Sequence, residues 1–166
     1  MADPVPEPGE GDERAILLGW LAFHRNAFER KCAGLADGQL VERSAPPSPL
    51  SLLGLMRHIT EMERVYGSWA LGPKEPLRFV WGDYTDEGPE WDIDAEESMV
   101  DESWAAWARE RAATDSRIAE HSSLDGIGPG NGRTVRWNFH KLVGEYARHN
   151  GHADLIRERI DGQTGE

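Results

Sequence analysis

The stretch FHKLVGEYARHNGHADLIRERIDG, residues 139–162, decides the fold. Phe139, Leu142, Tyr146, His149, Ala153, Ile156 and Ile160 recur at alternating steps of three and four, the spacing that lays side chains along one face of an α-helix. Gly162 follows, a natural left-handed cap. The same rhythm runs upstream. It appears in Leu52, Leu55, Ile59, Met62, Tyr66 and Trp69 from about Ser51, and in Val100, Trp104, Trp107, Arg111, Thr114 and Ile118 between about Ala95 and Glu120. Leu17, Trp20, Leu21, His24 and Phe28 form a further stripe after Asp12. Four amphipathic helices in 166 residues predict one all-α domain, a four-helix bundle over residues 12–162.

The segments between the helices carry helix-breaking signals. Residues 1–11 are mostly proline, glycine and acid, which predicts a disordered tail, and residues 163–166 form a short C-terminal tail. Ala45-Pro46-Pro47-Ser48-Pro49 forces a loop, because adjacent prolines lack amide donors. Residues 71–94 show no sustained period, and a loop of that length reads as a lid. The run from Gly126 to Gly132 resembles a phosphate loop only superficially, since no strand precedes it and no Lys-Ser/Thr pair follows; it reads as a flexible connection.

Charge and cysteine content narrow the function classes. Eighteen basic against thirty acidic residues give a formal charge of -12, which repels phosphate backbones and anionic lipid, so neither nucleic acid nor membrane is an expected partner. No apolar run approaches the roughly 18 residues that span a bilayer. Cys32 stands alone, which excludes an intrachain disulfide framework and suits a reducing cytoplasm. Trp69, Trp81, Trp91, Trp104 and Trp107 are more aromatic surface than one small core readily hides, and predict a homodimer.

The last helix breaks its apolar rule at one place. At about 100° per residue, Glu145, His149 and His152 fall within about 60° of one another, on the side of the interior stripe. A carboxylate and two imidazoles on an inward face must be paired, hydrogen-bonded or metal-bound. His58, beside the stripe at Leu55 and Met62, can reach them from the neighbouring helix. Zinc or nickel suits imidazole and carboxylate donors, and a purely structural polar network is the competing reading. His24 reads as a hydrogen-bonded core histidine, while His121 and His140 read as surface or capping residues. Glu61, Glu63 and Arg64 read as a solvated helix face, with Glu61, one turn on from His58, in reach of a supporting role.

The stretches LSLLGLMRHITEMER (50–64) and EYARHNGHADLIRERIDG (145–162) resemble the two signatures of the DinB superfamily, a resemblance that covers nearly the whole chain. It implies up-down-down-up connectivity, one metal-ligating histidine on helix two, and a His-x-x-x-His pair on the last helix. His149-Asn150-Gly151-His152 is similar to the family's His-x-Gly-Gln, which makes His149 the second member of the pair and Glu145 the first. Glutamate replaces the usual histidine there, as in the related mycothiol-dependent maleylpyruvate isomerases, and His152 replaces the glutamine.

The resemblance also implies that a divalent metal activates a low-molecular-weight thiol for S-transfer or isomerisation. In that scheme His58, Glu145 and His149 bind the metal, His152 assists proton transfer and Arg148 compensates the charge of an anionic thiol. The alternative is a metal- or small-ligand-binding stress-response bundle without turnover.

Overall fold

Helix α1 (Glu13–Cys32) begins where the Asp12 carboxylate accepts a hydrogen bond from the Ala15 amide, satisfying one of the amides a helix start leaves open. Ser51 caps α3 (Leu52–Glu63) through Gly54, and Thr134 caps α5 (Val135–Asp161) through Trp137. Gly162 closes α5 at φ 80°, in the left-handed conformation. Helix α4 (Val100–Glu120) starts later than Ala95, after a 3₁₀ turn (Glu97–Met99). A four-residue helix, α2 (Asp37–Leu40), was not foreseen, since one turn is too short for a periodic signal. The computed structural model describes residues 3–82 and 95–165, so Tyr84, Trp91 and half of the expected lid lie outside the described residues.

Side-chain pairs give the direction of each helix. Glu13 meets Arg136, His24 meets Asn150 and Arg157 reaches Lys31, so α1 and α5 run parallel. Arg57 feels the charge of Glu102, Gly67 lies against Thr114 and Gly72 against Arg117, so α3 and the chain that continues it run parallel to α4, while α1 opposes α4 through Arg14 to Ile118 and Glu29 to Arg111. Tyr66 faces Trp137 and His58 faces His149, which sets α3 against α5. The connectivity is up-down-down-up. Leu21, Phe28, Leu55, Ile59, Trp107 and Tyr146 fill the centre.

Three parts of the chain depart from expectation. Residues 3–11 are docked, not a loose tail: Asn26 donates to the Asp3 carbonyl and accepts from the Val5 amide, and Pro8 packs on Gly19. Proline-rich backbone has little conformational freedom to lose on docking, so two hydrogen bonds and small contacts hold it. The glycine run is also tightly built. Gly130 donates to the Ala70 carbonyl, and a Cβ on Gly128 or Gly130 would come within 2.5 or 2.2 Å of the carbonyl oxygen of Ala70 or Trp69. Glycine is required there for close backbone approach rather than for slack.

The solvated face expected at Glu61 and Glu63 is instead interior. Arg25 grips Glu63 with two hydrogen bonds of 2.7 Å, Tyr146 donates to the same carboxylate at 2.6 Å, and Trp107 donates to the Tyr146 hydroxyl at 2.8 Å. The network joins all four long helices, and its full set of partners is what makes a buried charge tolerable. Residues 72–82 form a strap across α3, held by Glu61, which accepts from the Val80 and Trp81 amides, and by Trp81, whose indole donates to the Arg57 carbonyl. The tryptophans invoked for a dimer are mostly absorbed this way: Trp107 is fully buried, and Trp69, Trp81 and Trp104 are partly buried.

Candidate metal centre

Antiparallel packing of α3 on α5 brings His58 level with Glu145 and His149, which lie one turn apart on α5. Glu145 Oε2 stands 3.7 Å from His58 Nε2 and 3.6 Å from His149 Nε2, and one donor atom from each residue lies within 4.8 Å of the others. The His58 and His149 rings are 4.4 Å apart. The side chains are 17, 12 and 12 % exposed, so the cluster occupies the flank of the interior stripe, with one side toward solvent, while Tyr146 and Asn150 beside it turn into the core.

The donor set fits a tetrahedral divalent ion. Two ligand atoms about 2.0–2.1 Å from zinc stand roughly 3.3–3.4 Å apart. The two separations from Glu145 need close by only a few tenths of an ångström to meet that requirement, and the two imidazole nitrogens lie within 4.8 Å of each other. Protonation fits as well. Burial and the charges of His58 and His152, with Arg148 adding, push His149 down to about 4 against the pull of Glu145, so the imidazole is neutral and its lone pair available. Burial pushes Glu145 up, but the hydrogen bond and charge of Lys141, with His58 and His149, outweigh it and hold the carboxyl below its ordinary range.

Two partners steer these donors. Lys141 Nζ donates to Glu145 Oε1 at 3.3 Å and so leaves Oε2 for the cluster; its spacing of four from Glu145 was the signal available in the sequence. His152 lies outside the three-residue cluster, with its Nδ1 3.3 Å from His149 Nδ1. If His149 offers Nε2 to a metal, its Nδ1 carries the hydrogen toward His152, which then keeps its own proton on Nε2. His152 also lines a mainly apolar pocket of about 270 Å³ between α5 and the loop that leads into α3, with Leu50, Leu155 and Ile156. Arg148 lies on the exposed face of α5, where its charge reaches His149.

The remaining histidines are occupied elsewhere. His24 stacks on Trp20 and faces Asn150, His121 meets the Leu71 carbonyl, and His140 is exposed. Cys32 is buried, and burial pushes its thiol up to about 12, so it is no nucleophile at neutral pH. Among the described residues no helix is long and apolar enough to cross a membrane.

A family model described as mycothiol-S-transferase matches residues 16–162. The chain belongs to the mycothiol S-transferase family. That family lies within the DinB-like superfamily, in agreement with the signatures at 50–64 and 145–162. No curated protein and no solved structure gives a match. Within this mycothiol S-transferase family member, the matched span contains all three clustered donors, His152, and the Glu63 network.

Proposed function

We propose that the chain is a metal-dependent thiol S-transferase or isomerase, in which His58 Nε2, Glu145 Oε2 and His149 Nε2 hold a divalent ion, zinc or nickel, and the co-substrate is a low-molecular-weight thiol of the mycothiol type. The observation that carries this reading is the convergence of three donors from two helices, with the His149 imidazole held neutral and the Glu145 carboxyl held below its ordinary range. Family membership supports the thiol. An ion so held supplies a Lewis acid, whose field lowers the pKa of a thiol brought to it.

The chain's own residues set the surroundings. Lys141 fixes which Glu145 oxygen faces the ion, and His152 fixes the tautomer of His149. With its proton on Nε2, His152 serves as a donor to negative charge developing on the electrophile. The apolar pocket beside it receives the electrophile's carbon skeleton. Arg148, on the rim, favours approach of an anionic thiol to an otherwise acidic surface.

Protein purified without added metal and dialysed should carry about one divalent ion per chain by elemental analysis, and His58→Ala, Glu145→Gln and His149→Ala should each lose most of it. In cobalt-substituted protein, mycothiol, bacillithiol or glutathione should raise a thiolate-to-metal charge-transfer band. Metal retained by all three variants would remove the site; bound cobalt with no band from any thiol would remove the chemistry. His152→Gln should keep the metal and lose turnover.

A further inference from the structure

Across the bundle from the metal centre, a second cavity opens where the strap meets α4 and the single π-helical turn that continues α3 (Arg64–Ser68). Its volume is about 390 Å³, and Arg64, Arg78, Arg117, Ser68, Trp69 and Gly72 form most of its wall. That volume is within the range of small-molecule sites. In a chain of net charge -12, three guanidiniums from three different elements gather here, and Glu75 is the one carboxylate among the lining residues.

The three arginines are held differently. Arg64 is committed: it donates to Glu110, which also accepts from Ser68, and to the Arg78 carbonyl at 3.0 Å. It therefore forms a rigid floor of nearly neutral charge. Arg117 engages Glu120 through a single nitrogen, at 3.0 and 3.1 Å, in an exposed pair of the kind that contributes little and exchanges readily. Arg78 is exposed at the rim, its carbonyl tied to Arg64 and its guanidinium directed to no carboxylate among the described residues. Gly72 completes the wall: a Cβ there would stand 2.7 Å from the Ser68 carbonyl and 3.3 Å from Arg117 Nε, so its absence lets Arg117 lie against the loop. The Trp69 ring is oriented by its indole bond to the Glu75 carbonyl at 2.8 Å.

We propose that this cavity binds a small dianion, a phosphate or dicarboxylate group gripped by the Arg78 and Arg117 guanidinium forks above the Arg64 floor. Planar guanidiniums suit the paired oxygens of such groups, and the strap carries one fork while α4 carries the other, so the bound anion ties the two together. The site is independent of the metal, since α3 turns His58 toward α5 and this cavity toward α4.

The test is titration of the full-length protein with inorganic phosphate and, separately, malonate, each against chloride at matched ionic strength, reading tryptophan fluorescence and thermal midpoint. Saturable binding of at least one dianion, weakened about tenfold or more in Arg78→Ala/Arg117→Ala and unchanged in Arg109→Ala, is the expected result. A response to phosphate alone or malonate alone assigns the class of the group. Arg78 is exposed and Arg117 half-exposed with only a surface ion pair, so circular dichroism of the double variant should match the parent, and Arg78→Lys should fall between, keeping charge but losing the fork. A response no greater than that to chloride, or one equally strong in the double variant, overturns the site.

Discussion

Glu61 and Glu63 stand two residues apart on α3 and meet opposite fates. Both are fully buried. Glu63 has each oxygen bonded by Arg25, so Glu63→Ala would leave the buried guanidinium only the largely exposed Asp115 carboxylate and strip the Tyr146 hydroxyl of its acceptor, a loss of about 3 kcal/mol measurable by urea denaturation. Glu61 has only its Oε1 satisfied, by the strap amides, while Oε2 has no partner among the described residues. Burial pushes its carboxyl up to about 7, against those amides and Arg64, with Glu110 adding to the rise. The folded chain therefore keeps a proton that the unfolded chain, near 4.5, has already released. That contribution is full below about 4.5 and lost as pH rises through about 7. Glu61→Gln keeps an oxygen for the two amides and removes the titration. Its stability relative to the parent should therefore improve between pH 5 and pH 8, and a flat difference across that range would show that Glu61 does not titrate there.

At the scale of the helix, α3 shows where local pattern stops being informative. Its three-and-four rhythm from Leu52 to Trp69 placed Tyr66 and Trp69 on the interior stripe, but the π turn at Arg64–Ser68 rotates the last residues and leaves both half-buried. The cause lies on another helix. Thr114 donates its hydroxyl to the Glu63 carbonyl, and Gly67 lies so close that an added Cβ would meet Thr114 Oγ1 at 2.2 Å and Cγ2 at 2.5 Å. A glycine inside a helical stripe was the visible trace; the partner that explains it was not. Gly67→Ala should destabilise by about 1–3 kcal/mol despite alanine's better helix propensity, because a β-branched threonine cannot swing both branches aside. A thermal melt checks this. By contrast the approach of His58 to Glu145 and His149 was readable, since residues at i and i+4 on one helix need only helical geometry to share a face, and His58 needs only an antiparallel neighbour. Which His149 nitrogen faces His152 depends on rotamers, and no spacing carries that.

At the scale of the whole molecule, the proposed metal site would be linked to stability. An ion bound only by the folded state raises the unfolding midpoint by mass action, so chelation should lower the thermal midpoint of the parent and leave that of His149→Ala unmoved. Deleting residues 1–11 should remove the Asn26 contacts and those of Pro8, lowering the midpoint slightly with helical content and metal stoichiometry unchanged by circular dichroism and elemental analysis. The docked segment escaped the sequence reading because its hold depends on one asparagine bridging two backbone groups, which composition does not encode. The up-down-down-up path has a further consequence, in time. The helix that supplies two of the three clustered donors follows the other three long helices along the chain, so His58 leaves the ribosome long before Glu145 and His149 exist to meet it. A nascent or truncated chain lacking α5 exposes the groove that α5 fills and lacks Glu145 and His149, so the proposed ion would be taken up only once α5 has been made and has packed against α3.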